Sequence, residues 1–343
     1  MHSQPSDSPT LKATQKGTMK AWICRTYGGP DVLALEDRPK PVPKDNELLI
    51  RICATTVASG DVRVRTLTMP RGFGTIARLV FGLTRPRQPI LGTDLAGVVE
   101  AVGRAVTTHK PGDAVIGLAG AAMGCHAEYR VLAADKPIVP KPANLTFEEA
   151  VSLCFGGTTA LHFLRKAGLK AGESLLVVGA SGAVGSAMVQ LVTHMGARVT
   201  GVTSSRNVEL VRSLGAQAVI DYTRQDFLAA GETYDVVADA VGASSFAQCL
   251  PVLKERGRYL GVSADLPGLF ARPVGTRRSI AGPAPDRVED VRELARLAEA
   301  GVLKPVVDRV YGFAQMAEAH AHVETGRKRG SVVVSVADVA AGG

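Results

Sequence analysis

Long apolar runs, aromatic residues and closely spaced cysteines are scarce in this chain of 343 residues. No apolar run reaches the roughly 18 residues that a membrane-spanning helix requires. Aromatic residues make up only 5% of the chain, so we expect a core of alanine, valine and leucine. The five cysteines form no CxxC motif and lie far apart, which is not the pattern of a disulfide framework. We expect them to be buried, reduced side chains.

The first 17 residues, MHSQPSDSPTLKATQKG, lack the apolar centre of a secretory signal peptide. Their polar character and two prolines predict a disordered tail over residues 1–17. Together with the dispersed cysteines, this favours a cytoplasmic protein with no membrane partner.

Acidic residues are missing from one long stretch of the chain. Lysine and arginine total 40 against 32 aspartate and glutamate, a net charge of +8. No nucleic-acid-reading motif accompanies this charge, so a nucleic-acid partner is not expected. Between Asp61 and Asp94 there is no acid, and the basic residues there are Arg63, Arg65, Arg71, Arg78, Arg85 and Arg87. This segment is either a solvated surface or a positive rim that attracts an anionic ligand.

The pattern of secondary structure changes near residue 145. Short β segments broken by glycine and proline precede this point and predict a partly closed β domain. Within them, residues 70–89 are apolar and basic, and predict a short helix or a flexible flap. Residues 145–168 have helical periodicity, and Thr146 with Glu149 forms a capping box. Valine-rich strands then alternate with helices, which predicts an α/β fold with a doubly wound parallel sheet.

The strongest motif for a binding site is the glycine-containing stretch LLVVGASGAVGSAMVQL, residues 175–191. Compared with G-x-G-x-x-G, it has Ala180 at the first glycine position, with Gly179 just before it. The motif lies between a buried strand and an amphipathic helix, the context that dinucleotide binding requires. Free N–H groups at the helix start would hold a pyrophosphate. The predicted contacts are Gly179, Ala180, Ser181, Gly182, Ala183 and Val184.

The following strand predicts which dinucleotide binds. Sites for NAD usually carry an acid about 20 residues after the loop, which bonds the ribose 2′-hydroxyl. Here the strand is followed by Ser204, Ser205 and Arg206, with no acid before Glu209. Hydroxyls and a guanidinium suit a 2′-phosphate, so we predict NADPH as the cofactor. Tyr222, after the third strand, either flanks the same adenosine or is an ordinary strand-end residue.

Several segments together resemble the medium-chain dehydrogenase/reductase superfamily, in its zinc-free quinone oxidoreductase-like branch. They run in order from MKAWICRTYGGPDVLALEDRP through LGTDLAGVVEAVG, KPGDAVIG, CHAEYRVL, FGGTTALHFL and GASGAVGSAMVQL to GAQAVIDYT and GSVVVSV. The resemblance covers residues 19–336. It implies a GroES-like substrate domain built from residues 18–144 and 283–343, with a Rossmann NADPH-binding domain at 145–282 between them.

The resemblance also indicates where zinc-dependent members have their ligands. These members have C-x-x-D in an early loop and G-H-E before the Gly-Val-Val strand. This chain has Ala58 and Asp61 in the first motif, and Thr93 at the histidine position of the second. The third ligand position falls near Phe155, and the four-cysteine structural lobe is missing. No metal site is therefore expected.

The resemblance implies NADPH-dependent reduction of quinones or α,β-unsaturated carbonyl compounds, which are small-molecule substrates. Thr158 matches a position near the nicotinamide, and Val241, Gly261 and Val262 match loops that edge the cofactor. Ser59 and Asp61 lie in a loop that faces the nicotinamide in relatives and are the candidate catalytic residues. A bound water is the alternative proton donor, and for Asp61 the alternative is a structural role, capping backbone N–H groups.

Two other functions stay open on the sequence. One is a dedicated biosynthetic tailoring reductase whose anionic substrate meets the arginine-rich segment. The other is a non-catalytic regulatory protein that binds NADPH and uses the fold as a sensor. Relatives in this branch are often dimers, so a homodimer is expected.

Overall fold

The computed structural model describes residues 17–336. The predicted disordered tail lies outside the described residues, except for Gly17. The strands are β1 (Thr18–Cys24), β2 (Leu33–Pro39), β3 (Glu47–Val57), β4 (Asp94–Val102), β5 (Ala114–Leu118), β6 (Tyr129–Ala133), β7 (Ile138–Pro140), β8 (Ser174–Val178), β9 (Arg198–Thr203), β10 (Ala218–Asp221), β11 (Tyr234–Asp239), β12 (Leu253–Gly261), β13 (Arg278–Ala281), β14 (Val307–Gly312) and β15 (Ser331–Ser335). The α-helices are α1 (Ser59–Thr66), α2 (Gly74–Phe81), α3 (Phe147–Val151), α4 (Cys154–Ala167), α5 (Ala183–His194), α6 (Val208–Ser213), α7 (Phe246–Cys249), α8 (Leu266–Leu269), α9 (Val288–Glu299) and α10 (Met316–Glu324).

The middle of the chain forms a six-stranded parallel sheet in the order β10-β9-β8-β11-β12-β13. Alternate residues of β8 enter different cores: Leu175 and Val177 pack with α4 and α5, whereas Leu176 and Val178 pack with α7. Both faces are therefore covered, as a parallel sheet requires. The predicted Rossmann sheet is confirmed.

Both ends of the chain share a second, seven-stranded sheet in the order β14-β15-β3-β4-β5-β7, with β6 paired to β3. Strand β15 pairs antiparallel with β3, so residues near the end of the chain complete a sheet begun near its start. Trp22 is buried below α10, and its indole N–H donates to the Phe313 carbonyl at 2.8 Å. This is the β-rich unit that the sequence predicted.

The two sheets are joined by a shared apolar cluster. Ala54, Ala96 and Ile116 of the seven-stranded sheet pack with Val151 of α3 and Val291 of α9. Helix α9 also contributes side chains to the core beside α4 and α5. Helix α9 thus contributes to the cores on both sides, and the domain boundary at residue 283 stays a prediction.

The helix predicted over residues 145–168 is interrupted after one and a half turns. Its capping box is present, since Glu149 N–H donates to Thr146 Oγ1 at 3.2 Å and Thr146 N–H donates to Glu149 Oε2 at 3.0 Å. Ser152 Oγ then donates to the Glu149 carbonyl at 2.7 Å, and α4 starts only at Cys154. A serine side chain that bonds a nearby carbonyl competes with the helical hydrogen bond, which sequence periodicity does not register.

Arg65 does not belong to the predicted positive rim. Its side chain is fully buried and donates to the Gly28 carbonyl at 2.7 Å and to Glu324 Oε2 at 2.6 Å. The other five arginines of this segment are exposed or only partly buried.

The five cysteines are all buried and unpaired, as expected. Between residues 17 and 336, no helix is long and apolar enough to cross a bilayer.

Candidate functional site

The glycine loop, residues 179–185, connects β8 to the start of α5. Gly179 has φ +81°, a conformation that favours glycine, and Gly182 is the N-cap of α5. A Cβ on Gly185 would lie 2.2 Å from the Gly179 carbonyl oxygen, so only glycine fits there. The first N–H groups of α5 have no partners within the helix. The geometry therefore suits a pyrophosphate at this helix start.

Ser181, a predicted cofactor contact, turns its hydroxyl into the protein. Its Oγ accepts hydrogen bonds from Thr203 Oγ1 at 2.9 Å and from Asn207 Nδ2 at 3.1 Å. The side chain is buried and ties the glycine loop to the end of β9. Only the backbone of Ser181 is available at the loop surface.

The end of β9 places Ser205 and Arg206 on the surface, with Ser204 partly buried beside them. Asp221, at the end of the neighbouring strand β10, accepts a hydrogen bond from the Ser205 hydroxyl. Hydrogen bonds from Ser205 and then Thr223 lower the pKa of the Asp221 carboxyl. Asp221 belongs to β10, so the residues that follow β9 in the sequence give no sign of this carboxylate. Tyr222 is exposed next to it, as a residue flanking an adenosine would be.

Arg206 also borders a strongly basic cleft of about 800 Å³. Its guanidinium donates to the carbonyl of Arg327. The cleft is lined by Arg206, Asp308, Arg309, His322, Thr325, Arg327 and Arg329. Asp308 is the single acid among them, and it already faces Arg329 at 3.3 Å and His322 at 3.2 Å. The excess of guanidinium groups suits a phosphate.

Residues 326–330, GRKRG, form a C-terminal basic segment that closes over the glycine loop. Gly330 N–H donates to the Ser181 carbonyl at 2.7 Å, and Gly330 forms a bridge with Gly182. Lys328 Nζ donates to the Gly330 carbonyl at 2.6 Å, and burial lowers the pKa of this amine to about 8. The sequence reasoning missed this segment. Three basic residues between two glycines were the available signal.

The loop after β11 lies beside the glycine loop, and the loop after β12 is hydrogen-bonded to the end of β11. Asp239 is fully buried, and its Oδ1 accepts from the N–H groups of Val241 at 2.9 Å and Gly242 at 2.7 Å. Val241 is exposed, and a Cβ on Gly179 would lie 2.5 Å from its Cγ1. Val262 N–H donates to the Asp239 carbonyl at 3.1 Å. Val241, Gly261 and Val262 thus lie at the carboxyl edge of the sheet, beside the glycine loop, where ligands bind in this fold.

Thr158 lies on α4, buried and turned towards its own helix. Its Oγ1 donates to the Cys154 carbonyl at 2.8 Å. Such a bond uses the hydroxyl within the helix. A contact of Thr158 with the nicotinamide stays a prediction.

Two buried carboxylates occupy the region where related enzymes bind zinc. Asp61 Oδ2 accepts from Ala58 N–H at 2.7 Å, and its Oδ1 accepts from Gly92 N–H at 3.0 Å. Asp94 Oδ1 accepts from Thr93 Oγ1 at 2.6 Å, and its Oδ2 accepts from Phe155 N–H at 3.3 Å. Both acids therefore anchor backbone and hydroxyl groups of neighbouring segments.

These residues do not fit a zinc ion. Ala58 has no donor atom, and the Thr93 hydroxyl is directed to Asp94. Asp61 uses both oxygens for backbone N–H groups. No group of three histidine, cysteine or acidic side chains within residues 17–336 is arranged to hold a metal. Zinc requires such donors at bonding distance.

Family models match both parts of the chain. A model described as "Alcohol dehydrogenase GroES-like domain" matches residues 44–143, and one described as "Zinc-binding dehydrogenase" matches residues 214–334. The chain is 34% identical over 328 residues to 2-methylene-furan-3-one reductase of Solanum lycopersicum, covering 92% of this chain and 79% of the relative. It is 33% identical over 337 residues to the chloroplastic NADPH-dependent alkenal/one oxidoreductase of Arabidopsis thaliana, covering 95% and 81%.

A solved structure extends the match to the fold. The quinone oxidoreductase from Coxiella burnetii superposes with a TM-score of 0.83 at 31% identity, covering 93% of this chain and 99% of that one. Fold, glycine loop and basic cleft define a dinucleotide-dependent oxidoreductase. The chain belongs to the zinc-free, quinone oxidoreductase-like branch of the medium-chain dehydrogenase/reductase superfamily. The resemblance inferred from the sequence is confirmed.

Proposed function

We propose that the protein transfers a hydride from NADPH to quinones or α,β-unsaturated carbonyl compounds without a metal ion. The observation that carries this proposal is the closure of the glycine loop by the C-terminal basic segment, through Gly330 and Ser181. The same segment contacts a helix start that suits a phosphate and contributes Arg327 and Arg329 to the basic cleft, so one ligand can contact both. The relatives named as alkenal/one oxidoreductase and quinone oxidoreductase support the same activity.

The proposed cofactor contacts run from the glycine loop to the loops that follow β9, β10, β11 and β12. Backbone N–H groups of Gly182, Ala183 and Val184 hold the pyrophosphate, with Gly179, Ala180 and Ser181 shaping the loop. Ser204, Ser205 and Arg206 receive the 2′-phosphate, and Tyr222 flanks the adenosine. At the nicotinamide end, the proposed contacts are Thr158, Val241, Gly261 and Val262.

When bound, NADPH would supply the hydride for addition to the β-carbon of the conjugated carbonyl. The residues of the chain orient the substrate and stabilise the negative charge that develops on its oxygen. We propose that the hydroxyl group of Ser59, exposed at the start of α1, donates a hydrogen bond to this oxygen, and that a water molecule delivers the proton that the resulting enolate takes up at its α-carbon. We propose that Asp61 acts by positioning this turn, because both of its oxygens are occupied by backbone N–H groups.

The test is loss of reduced-nicotinamide absorbance when purified protein is mixed with NADPH and a panel of soluble enones and quinones. We expect turnover that a chelator does not lower. Gly185→Ala should abolish it, because the new methyl group would overlap the Gly179 carbonyl, whereas a Cβ at Gly74 meets nothing within 4 Å, so Gly74→Ala should retain it. Inactivity over the whole panel, or loss of activity with the chelator, would contradict the proposal.

The relatives, which are named as reductases and oxidoreductases, favour neither the tailoring reductase with an anionic substrate nor the regulatory protein. For location, we propose the cytoplasm, supported by five cysteines that are buried and unpaired. We also propose a homodimer. Strand β13 is the last strand of its sheet, and its outer edge has no partner among residues 17–336, which supports pairing with a second copy.

A further inference from the structure

The flap, residues 70–87, exposes an apolar helical face. Its helix α2 buries only Ala77, against the body of the protein. Ile76, Leu79 and Val80 share one exposed face at i, i+3 and i+4, and are 45%, 60% and 56% exposed. Leu83, just after the helix, is 62% exposed. Four large apolar side chains on one short segment form a patch of the kind that marks a binding surface.

The same segment has only positive charge. No acidic residue occurs between Asp61 and Asp94. Arg71, Arg78, Arg85 and Arg87 are exposed, and none of them forms an ion pair with an acid in the described part of the chain. An apolar face bordered by unpaired arginines is typical of segments that lie in the interface of an anionic bilayer.

The flap contacts a part of the molecule that does not line the basic cleft. Leu266 N–H donates to the Arg71 carbonyl at 2.9 Å, so the flap borders the segment that follows β12. The basic cleft is lined instead by Arg206 and by residues between 308 and 329. The flap arginines are therefore a second set of cations, distinct from those that line the basic cleft.

We propose that the flap is a docking surface for membranes that carry anionic lipids, in contrast to the expectation from the sequence of no membrane partner. The apolar side chains enter the boundary of the acyl chains, and the arginines meet the phosphates of the headgroups. A second copy of the chain fits this surface less well, because self-pairing would place arginines against arginines. Nucleic acid would satisfy the charge but leave the apolar face in water.

The test uses the full chain and sedimentation with two kinds of vesicle, phosphatidylcholine alone and phosphatidylcholine with one third phosphatidylglycerol. We expect binding to the anionic vesicles only, and release at about 1 M salt, where charges are screened within a few ångströms. Arg85→Gln with Arg87→Gln should lower the partition coefficient about 25-fold, since each cation contributes about fivefold. Leu79→Glu with Leu83→Glu should abolish binding.

Matched controls carry the same changes elsewhere. Arg198→Gln with Arg292→Gln removes two exposed arginines outside the flap, and Val42→Glu changes a side chain that is 84% exposed. Both controls should bind vesicles as the unchanged protein does, and circular dichroism checks the fold of every variant. Equal losses in controls and flap variants would overturn the proposal, as would self-association or RNA binding through the flap without vesicle binding. NADPH oxidation with a soluble quinone, measured in parallel, reports separately on the proposed function.

Discussion

At the scale of single residues, Asp94 shows how a buried acid is held at the start of the apolar strand β4. Its carboxyl group holds together three parts of the chain: Thr93 before β4, Thr56 at the end of β3, and Phe155 at the start of α4. Burial raises its pKa to about 7, and the nearby charge of Asp61 adds to the shift. Burial likewise raises the pKa of Asp61 to about 6.

This shift predicts how stability changes with pH. An aspartate in an unfolded chain has a pKa of about 3.9, so the folded protein holds this proton more tightly. The stability gained is complete below about pH 4 and is lost as pH rises through about 7. Asp94→Asn keeps the shape and removes the charge, so its melting temperature should exceed that of the unchanged protein at pH 8. At pH 5 the two should approach each other.

Asp61→Asn is the contrasting variant. Both oxygens of Asp61 accept backbone N–H groups, so an amide would direct one NH₂ group at an N–H donor. Asn at position 94 avoids this conflict, because the Thr93 hydroxyl can turn and accept. Asp61→Asn should therefore lower the melting temperature at every pH. A constant difference between Asp94→Asn and the unchanged protein from pH 5 to 8 would contradict the predicted shift.

At the scale of elements, the sequence predicted best what depends on neighbouring residues. The β8 strand, the glycine loop and the start of α5 are contiguous, so a local pattern of apolar residues and glycines specifies them. The capping box at Thr146 is local in the same way. The break at Ser152 is also local, but it depends on a side-chain hydrogen bond that has no periodic signal.

What the sequence did not predict depends on distant contacts. Residues 326–330 reach the glycine loop only because β15 pairs with β3 and thereby fixes the position of the preceding segment. The carboxylate of Asp221 reaches Ser205 only because β10 and β9 are neighbours. The GRKRG run was visible, but no spacing along the chain connects it with a loop near residue 182.

We expect Arg206, which lines the basic cleft, to discriminate between NADPH and NADH. Arg206→Ala removes a guanidinium from the cleft, and a hydrogen bond to a charged group is worth about 1.5–3 kcal/mol. We expect KM for NADPH to rise by at least about tenfold while KM for NADH changes little. Steady-state kinetics with both cofactors measure this. Arg212→Ala, on α6 and paired with Glu209, is the matched control and should change neither value. Equal effects on both cofactors would argue against a 2′-phosphate contact.

At the scale of the whole molecule, the two sheets pack against one shared apolar cluster, and the chain passes from one sheet to the other and back. Ala54 and Ile116 on one side pack with Val151 and Val291 on the other. The Gly330–Ser181 hydrogen bond adds a polar connection at the cofactor site. Neither sheet can unfold without exposing buried surface of the other, which favours a single cooperative transition.

The single tryptophan tests this coupling. Trp22 lies in the β-rich unit, whereas α4, α5 and α9 flank the six-stranded sheet, so fluorescence and far-ultraviolet circular dichroism report on different parts. We expect both signals to change at the same denaturant concentration. NADPH at about 100 times its Kd should raise the free energy of unfolding that each signal reports by about 2.7 kcal/mol. NADPH should shift neither signal in Gly185→Ala. Two separate transitions would show that the units unfold independently.

The pairing of β15 with β3 also has a consequence for biosynthesis. At about 5–20 residues per second, β3 waits roughly 15–60 s on the ribosome for its neighbour to emerge. The six-stranded sheet, by contrast, lies entirely within residues 174–281 and can form before β15 has been made. Residues 326–330, which close the glycine loop, leave the ribosome with β15. The nascent chain can therefore complete its nucleotide-binding sheet before the residues that close the phosphate end of its cofactor site have been made.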